Sequence, residues 1–236
     1  MRARSVALPT CGERPSRRDT LLPLVPGKRG FADNAMAAAR AAGVQHIVRS
    51  SGAGADASSA VTIAKLQGDI DDKVRTSGIA YTLLHPNNFM QNWVTFAAGQ
   101  VKSGTYHAPH GDGAISVVDA RDIADAAAVV LTNPAAHAGK SHTLTGAEAL
   151  TDAQMLAAIS EAIGCEVRYV DVPEAAAEDG MRGMGMPAEV VAWMMSLNAI
   201  IKAGWAAAVS DDLEALTGKS PRRFADFARE HADAWR

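Results

Sequence analysis

The chain has 236 residues, of which 48% are apolar, 21% charged and 5% aromatic. This composition is typical of one globular domain, with or without a small appendage. The two cysteines, Cys11 and Cys165, lie far apart, which argues against a disulfide scaffold or a zinc ribbon and fits a reducing, cytoplasmic location. No apolar run approaches the roughly 18 residues of a membrane span. The net charge is +5 over residues 1–30 and −8 over the rest, and an acidic body argues against nucleic-acid binding.

Residues 1–20 have no hydrophobic period and are rich in Arg, Ser, Thr and Pro. We interpret them as a disordered tail or a non-native start of the reading frame. A targeting segment is the less favoured alternative, because Glu13, Asp19 and two prolines do not suit an amphipathic helix. Residues 21–27 are an apolar run interrupted by prolines, which predicts at best an edge strand that enters a loop.

The next elements have clear periods. Helix formers over residues 31–42, followed by Gly43, predict a helix, and a buried strand follows at residues 46–50. Residues 61–77 have an apolar stripe with acids opposite, which predicts an amphipathic helix. A second buried strand is expected at residues 80–85. We expect a further helix directly after it, capped by Asn87 or Asn88 and continuing through Ala98.

Downstream, predicted strands and helices continue to alternate. In chain order they are strands at 105–107 and 114–118, a helix at 119–131, a strand at 141–145, a helix opened by the capping box Thr151-Asp152-Ala153-Gln154 and closed by Gly164, a strand at 167–172, and helices at 187–203, 211–216 and from 224 to the end. This alternation predicts an α/β fold with a mainly parallel sheet over residues 21–150 and a mostly helical cap over residues 151–236.

Three motifs invite a chemical interpretation. Residues 52–57 (GAGADA) match the loose dinucleotide pattern G-x-G-x-x-G/A, but the helix pattern starts only near Val61, so we interpret them as a strand-to-helix loop. His107-x-x-His110 contains Pro109, and we interpret its histidines as incidental loop residues and not as metal ligands. The Met- and Gly-rich residues 181–186 are equally consistent with a substrate lid and with a linker.

A fourth motif, Pro86-Asn87-Asn88-Phe89, follows the carboxyl end of a predicted strand. That edge of a parallel sheet is where ligands bind, so the two amides are candidates for orienting a planar ligand. The alternative is a helix cap with a core phenylalanine, and the motif alone does not decide between them. Spacing assembles no nucleophile–base pair and no general-acid dyad.

An ordered set of motifs resembles a known family. The motifs are residues 41–51 (AAGVQHIVRSS), 68–71 (GDID), 76–82 (TSGIAYT), 85–92 (HPNNFMQN), 118–124 (VDARDIA), 143–146 (TLTG), 211–218 and 221–224. Together they resemble the NmrA-like, NAD(P)H-binding branch of the atypical short-chain dehydrogenases, close to its quinone-oxidoreductase-like members. The resemblance runs from about residue 21 to the end.

The resemblance implies a Rossmann-like fold with NADP or NAD as cofactor and hydride transfer to a quinone-like or other small carbonyl or conjugated substrate. Its nicotinamide is expected over the loops after residues 46–50 and 80–85. Gln67 stands at the helix position that family members often fill with His or Lys; an amide does not titrate at neutral pH, so it orients a substrate without acting as acid or base. The residues expected to border cofactor and substrate are Ser50, Ser51, Gly52, Pro86, Asn87, Asn88 and Phe89.

The family's opening strand and glycine-rich turn, which hold the pyrophosphate, have no counterpart before Gly43. We therefore expect an N-terminally truncated Rossmann-like sheet, whose exposed apolar edges favour either association, as in a homo-oligomer, or instability. This departure keeps a second hypothesis open: a non-catalytic redox-sensing or partner-binding relative, or a truncated remnant. Binding of a nicotinamide dinucleotide, and turnover with it, distinguish these hypotheses.

Overall fold

A computed structural model describes residues 19–23 and 29–236. The strands are β1 (Asp19–Pro23), β2 (His46–Ser50), β3 (Ala80–Pro86), β4 (Thr105–Ala108), β5 (Ala114–Ile115), β6 (Lys140–Leu144), β7 (Leu150–Thr151) and β8 (Arg168–Asp171). The helices are α1 (Arg29–Ala41), α2 (Thr62–Arg75), α3 (Ala98–Lys102), α4 (Ala120–Thr132), α5 (Pro134–His137), α6 (Asp152–Ile163), α7 (Glu174–Gly183), α8 (Ala188–Lys202), α9 (Asp212–Thr217) and α10 (Phe224–Glu230). The predicted tail of residues 1–20 lies outside the described residues, except for the two that begin β1.

A parallel sheet of four strands, in the order β1-β2-β3-β6, carries the fold. The proline-interrupted run forms β1 at one edge, as predicted, and β2 lies between β1 and β3 with Ile47 and Val48 fully buried. Separately, β4 pairs with β8 in parallel and β5 pairs with β7 antiparallel. The predicted mainly parallel α/β arrangement is confirmed.

Side-chain alternation along the strands covers both faces of this sheet. Ile47 and Leu83 pack with Val74 on the face that carries α1 and α2. Val48 and Leu84 pack on the opposite face, with residues of α4 and α9. Because both faces are covered, the central residues of β2 and β3 are apolar and fully buried: Ile47, Val48, Leu83 and Leu84.

A third core lies beyond the sheet and joins two distant parts of the chain. Residues of 90–117, among them Trp93, pack with Leu156 of α6 and Phe227 of α10. Near the C-terminus, Trp235 donates its indole N–H to the carbonyl oxygen of Trp93 at 2.8 Å. The segment after β3 and the C-terminal helices therefore share one core, and the predicted domain boundary stays a prediction. No helix in residues 29–236 is long and apolar enough to cross a membrane.

The ends of α6 match the predicted signals. The Thr151 hydroxyl accepts from the Gln154 backbone N–H at 3.2 Å, and the Gln154 side chain accepts from the Thr151 backbone N–H at 2.9 Å, which confirms the capping box. The helix closes at Gly164, whose φ of +72° lies in the left-handed region that favours glycine.

The predicted helix directly after β3 is wrong. The chain there forms one 3₁₀ turn, Met90–Trp93, and α3 begins only later. Neither Asn87 nor Asn88 caps a helix: the Asn87 amide donates to the Ser116 hydroxyl at 2.7 Å and to the Ala206 carbonyl oxygen at 2.8 Å. Hydrogen bonds to distant residues have overridden the local capping preference of asparagine.

Candidate functional site

The loops that follow β2 and β3 lie side by side at the carboxyl edge of the sheet. The Ser51 backbone N–H donates to the Leu84 carbonyl oxygen at 2.7 Å, and that of Ala53 donates to Pro86 at 2.9 Å. Strand pairing therefore continues past the end of β2. It brings the predicted site residues at the end of β2 next to those at the end of β3. The residues that meet here are Ser50, Ser51, Gly52, Pro86 and Asn87.

The loop of residues 52–57 packs along α2 and does not open it. The Asp56 backbone N–H donates to the carbonyl oxygen of Ala64 at 3.0 Å. A Cβ atom added at Gly68 would overlap the backbone of Asp56 and Ala57, so the loop and the helix approach at a distance that only glycine permits. The stretch is a strand-to-helix loop, as predicted.

The two asparagines after β3 have different roles. The amide nitrogen of Asn87 donates to Ser116 and Ala206, and its oxygen accepts from the Asn88 backbone N–H at 2.9 Å. The Asn88 side chain is half-buried and makes no hydrogen bond within the described ranges. Phe89 is 38% exposed. Of the two amides, that of Asn88 is the one free to contact a ligand.

Beneath these loops lies a buried polar group that spacing did not reveal, which we call the Asp71 cluster. Its centre is an ion pair between Arg49 of β2 and Asp71 of α2, whose side chains are both 0% exposed. The second carboxylate oxygen of Asp71 accepts from the Ser51 hydroxyl at 3.0 Å and lies 2.9 Å from His85 Nε2. Gln67 Oε1 accepts from the guanidinium of Arg49 at 2.6 Å and completes the cluster.

Electrostatics explains why these residues occur together. Burial lowers the pKa of the Arg49 guanidinium, and the charge and hydrogen bond of Asp71 oppose that shift. Within the part of the chain described, Arg49 Nε has no hydrogen-bond partner. A buried charge is tolerated when it is paired. The Asp71 cluster therefore ties β2, β3 and α2 together directly below the candidate site.

Asp71 corrects one expectation. The amphipathic pattern placed the acids of α2 opposite its apolar stripe, and this is wrong for Asp71, which faces the sheet and is buried. Asp69 and Asp72 do lie at the surface, in ion pairs with Lys65 and Arg75. The signal was present in the sequence, because Asp71 lies three residues before the stripe residue Val74 and therefore on the same helix face.

A second buried polar group lies against the third core. His110 Nδ1 lies 2.7 Å from Asp152 Oδ2, and its Nε2 lies 3.0 Å from Asn198 Oδ1. Burial alone would lower the pKa of His110, but the hydrogen bond and charge of Asp152 outweigh it and the pKa is raised. His110 lies in a loop, as interpreted, but it is buried and hydrogen-bonded and therefore not incidental, whereas His107 is exposed on β4. Among the described residues, no cluster of three His, Cys, Asp or Glu side chains is arranged to hold a metal.

Known proteins resemble this chain over most of its length. A sequence profile described as the NmrA-like family matches residues 32–221. The NAD(P)H azoreductase of Xenophilus azovorans is 39% identical over 213 residues, which cover 90% of this chain and 74% of that enzyme.

Solved structures also resemble this chain over most of its length. The NADPH-dependent quinone oxidoreductase of Escherichia coli, complexed with NADPH, matches with a TM-score of 0.81 and 28% identity, covering 91% of this chain and 76% of that one. The triphenylmethane reductase of Citrobacter sp., complexed with NADP(H), matches with a TM-score of 0.75 and 26% identity, covering 92% and 77%. These matches confirm the predicted Rossmann-like α/β class. With the profile match and the azoreductase identity, they establish that the chain belongs to the NmrA-like family.

Proposed function

We propose that this chain is an NAD(P)H-dependent oxidoreductase that transfers hydride to a quinone-like, azo or other small conjugated acceptor. The observation that carries the proposal is the pair of loops held together at the carboxyl edge above the Asp71 cluster. The relatives support it, because they are an NAD(P)H azoreductase, an NADPH-dependent quinone oxidoreductase and a triphenylmethane reductase complexed with NADP(H).

The residues at this edge fit the nicotinamide end of such a cofactor. Ser50 offers a hydroxyl and Asn88 a free amide, while Phe89 offers a partly exposed ring. At Gly52 an added Cβ would meet nothing closer than the Gln67 side chain, at 3.6 Å. Neighbouring residues therefore do not require glycine there, but a ligand lying against bare backbone would. When bound, a reduced nicotinamide supplies the hydride.

The pyrophosphate end of the cofactor is bound by a different kind of structure. In Rossmann folds it is held by a tight glycine-rich turn that opens a helix. The loop of residues 52–57 does not have this form, because it packs along α2 at Gly68. The described residues thus support the nicotinamide side of the proposal.

Gln67 is assigned a positioning role. Its oxygen must face the Arg49 guanidinium, which has only donors, so its amide nitrogen is turned the other way. That nitrogen lies 3.9 Å from where a Cβ of Gly52 would be. Gln67 therefore offers a neutral donor next to Gly52 and supplies no proton to the reaction.

Calorimetry with NADPH and with NADH tests the proposal directly. We expect a Kd in the micromolar range for at least one dinucleotide, and its oxidation when a naphthoquinone or an azo dye is added. In Asn88→Ala we expect kcat/KM to fall about tenfold, the effect of losing one hydrogen bond worth about 1.4 kcal/mol. Asn133→Ala is the matched control, since Asn133 is exposed and follows α4 at the far end from the candidate site.

Two outcomes would contradict the proposal. Failure to bind either dinucleotide removes the cofactor and with it the reaction. Dinucleotide binding without oxidation by any conjugated acceptor favours instead the non-catalytic, redox-sensing relative.

A further inference from the structure

Residues 204–210, which we call the strap, connect α8 to α9 across the carboxyl edge of the sheet. At one end, the carbonyl oxygen of Ala206 accepts from the Asn87 side chain at 2.8 Å. At the other end, the Ser210 backbone N–H donates to the Thr145 hydroxyl at 3.0 Å. Asn87 follows β3 and Thr145 follows β6, so the strap is fastened to the ends of both strands.

Ser116 fastens the middle of the strap. Its backbone N–H donates to the carbonyl oxygen of Ala206 at 3.0 Å, and its buried hydroxyl donates to that of Ala208 at 2.7 Å. The Trp205 backbone N–H donates to the Ile200 carbonyl oxygen at 3.0 Å, which holds the start of the strap on α8. The strap backbone is therefore fixed along its length.

This fixed backbone carries large apolar side chains that face solvent. Trp205 is 68% exposed and Val209 is 51% exposed, and Phe89 on the adjacent loop is partly exposed as well. A scattered exposed apolar residue is ordinary, whereas a group of them beside a ligand-binding edge marks a contact surface. Because the carbonyl oxygen of Ala206 accepts from the Asn87 side chain, Trp205 is the chain neighbour of a residue that is fastened to the candidate site.

We propose that Trp205 determines acceptor specificity by stacking its indole on the planar ring of a conjugated acceptor at the edge that carries Asn88. The inference rests on the proposed function, because the occupant is the acceptor of that hydride transfer. An indole offers a wide, rigid face to a flat aromatic ring, and such ring pairs are stabilised beyond their buried area. A small non-aromatic ketone gains little from the same face.

Steady-state kinetics with two acceptors tests the role of Trp205. In Trp205→Ala we expect the KM for a naphthoquinone to rise about tenfold, while kcat, the KM for cyclohexenone and the Kd for NADPH stay within about twofold. Trp205→Phe keeps an aromatic face, so its KM for the naphthoquinone should stay close to that of the wild-type protein. Phe96→Ala is the matched control, because Phe96 is 88% exposed and lies before α3, outside the strap.

Indole fluorescence provides a readout that needs no dinucleotide and no turnover. Trp93 and Trp235 are buried and Trp193 is partly buried, so Trp205 is the indole that an added ligand reaches first. We expect a naphthoquinone to quench the emission saturably, and Trp205→Phe to lose that quenching. If the chain fails to oxidise NADPH, the proposed function fails, and this titration still decides whether Trp205 binds aromatic rings.

An unchanged ratio of the naphthoquinone and cyclohexenone KM values in Trp205→Ala would overturn the inference while leaving the function standing. If the size-exclusion elution of this variant also shifts to a smaller species, Trp205 is assigned instead to a contact between copies of the chain.

Discussion

At the scale of single residues, Asp71 makes the interactions near the candidate site that matter most for the stability of the fold. It is the counter-ion of a fully buried arginine and accepts hydrogen bonds from two strands. Replacing it with asparagine keeps the side-chain shape but leaves Arg49 without a counter-charge. We expect Asp71→Asn to lower the free energy of unfolding by about 3–5 kcal/mol, the usual cost of breaking a buried pair from one side. Urea denaturation measures this loss.

Asp72→Asn is the control for that substitution. Asp72 is the next residue on α2 and pairs with Arg75, but its side chain is 56% exposed. An exposed pair of this kind contributes about 0–1 kcal/mol. Equal stability of the two variants would mean that the buried pair contributes no more than a surface one.

Sequence predicted the elements better than it predicted their contacts. The bounds of β2 and the capping box of α6 follow from signals a few residues long, and both are confirmed. The Asn87 amide instead bonds to Ser116 and Ala206, which are 29 and 119 residues away. No local period encodes such a contact, so the capping prediction failed there.

In the candidate site too, the sequence predicted the arrangement of elements better than the contacts between side chains. The chain order of strands predicted which loops meet at the carboxyl edge, and the structure brings Ser50 to Gly52 next to Pro86. Their contact with a cofactor stays a prediction. The Arg49–Asp71 pair was missed because a lone charge in an apolar strand has no visible partner until α2 is packed on the sheet.

At the scale of elements, Gly68 sets how closely α2 approaches the loop of residues 52–57. In a helix with free space, Gly→Ala stabilises by about 0.5–1 kcal/mol. At Gly68 the new Cβ would overlap the backbone of Asp56 and Ala57. We therefore expect Gly68→Ala to destabilise by about 1–3 kcal/mol, as overpacking does, and to weaken NADPH binding because the displaced loop begins at Gly52.

Gly180→Ala in α7 is the matched control for this prediction. Gly180 is also a helical glycine, but an added Cβ there would meet nothing within 4 Å. This variant should be stabilised by the helix-propensity difference alone, and thermal denaturation compares the two variants. A stabilised Gly68→Ala would show that the loop yields without cost.

At the scale of the whole molecule, the His110 side chain links the turn after β4 to two helices that lie against the third core. His110 joins that turn to Asp152 at the start of α6 and to Asn198 of α8. Asp171 of β8 adds a further negative charge that favours protonated His110. Protonation of a single imidazole thus bears on how firmly α6 and α8 are held together.

The raised pKa of His110 fixes the sign of a pH dependence. Burial opposes the proton, but Asp152 outweighs it, so the folded chain binds the proton more tightly than the unfolded chain, whose histidines have a pKa of about 6.5. The stability that this proton contributes is fully present below about pH 6.5 and is lost as the pH rises through the pKa of His110 in the folded chain.

Urea denaturation of the wild-type protein and of His110→Gln, repeated from about pH 5.5 to 9, isolates the contribution of the His110 proton to stability. The difference in unfolding free energy should be largest at low pH and shrink as the pH rises. His137 and His142 have pKa values lowered chiefly by burial and act in the opposite direction, but both proteins contain them and their effect cancels. A difference for His110→Gln that is constant or grows with pH would show that the ion pair with Asp152 does not form in solution.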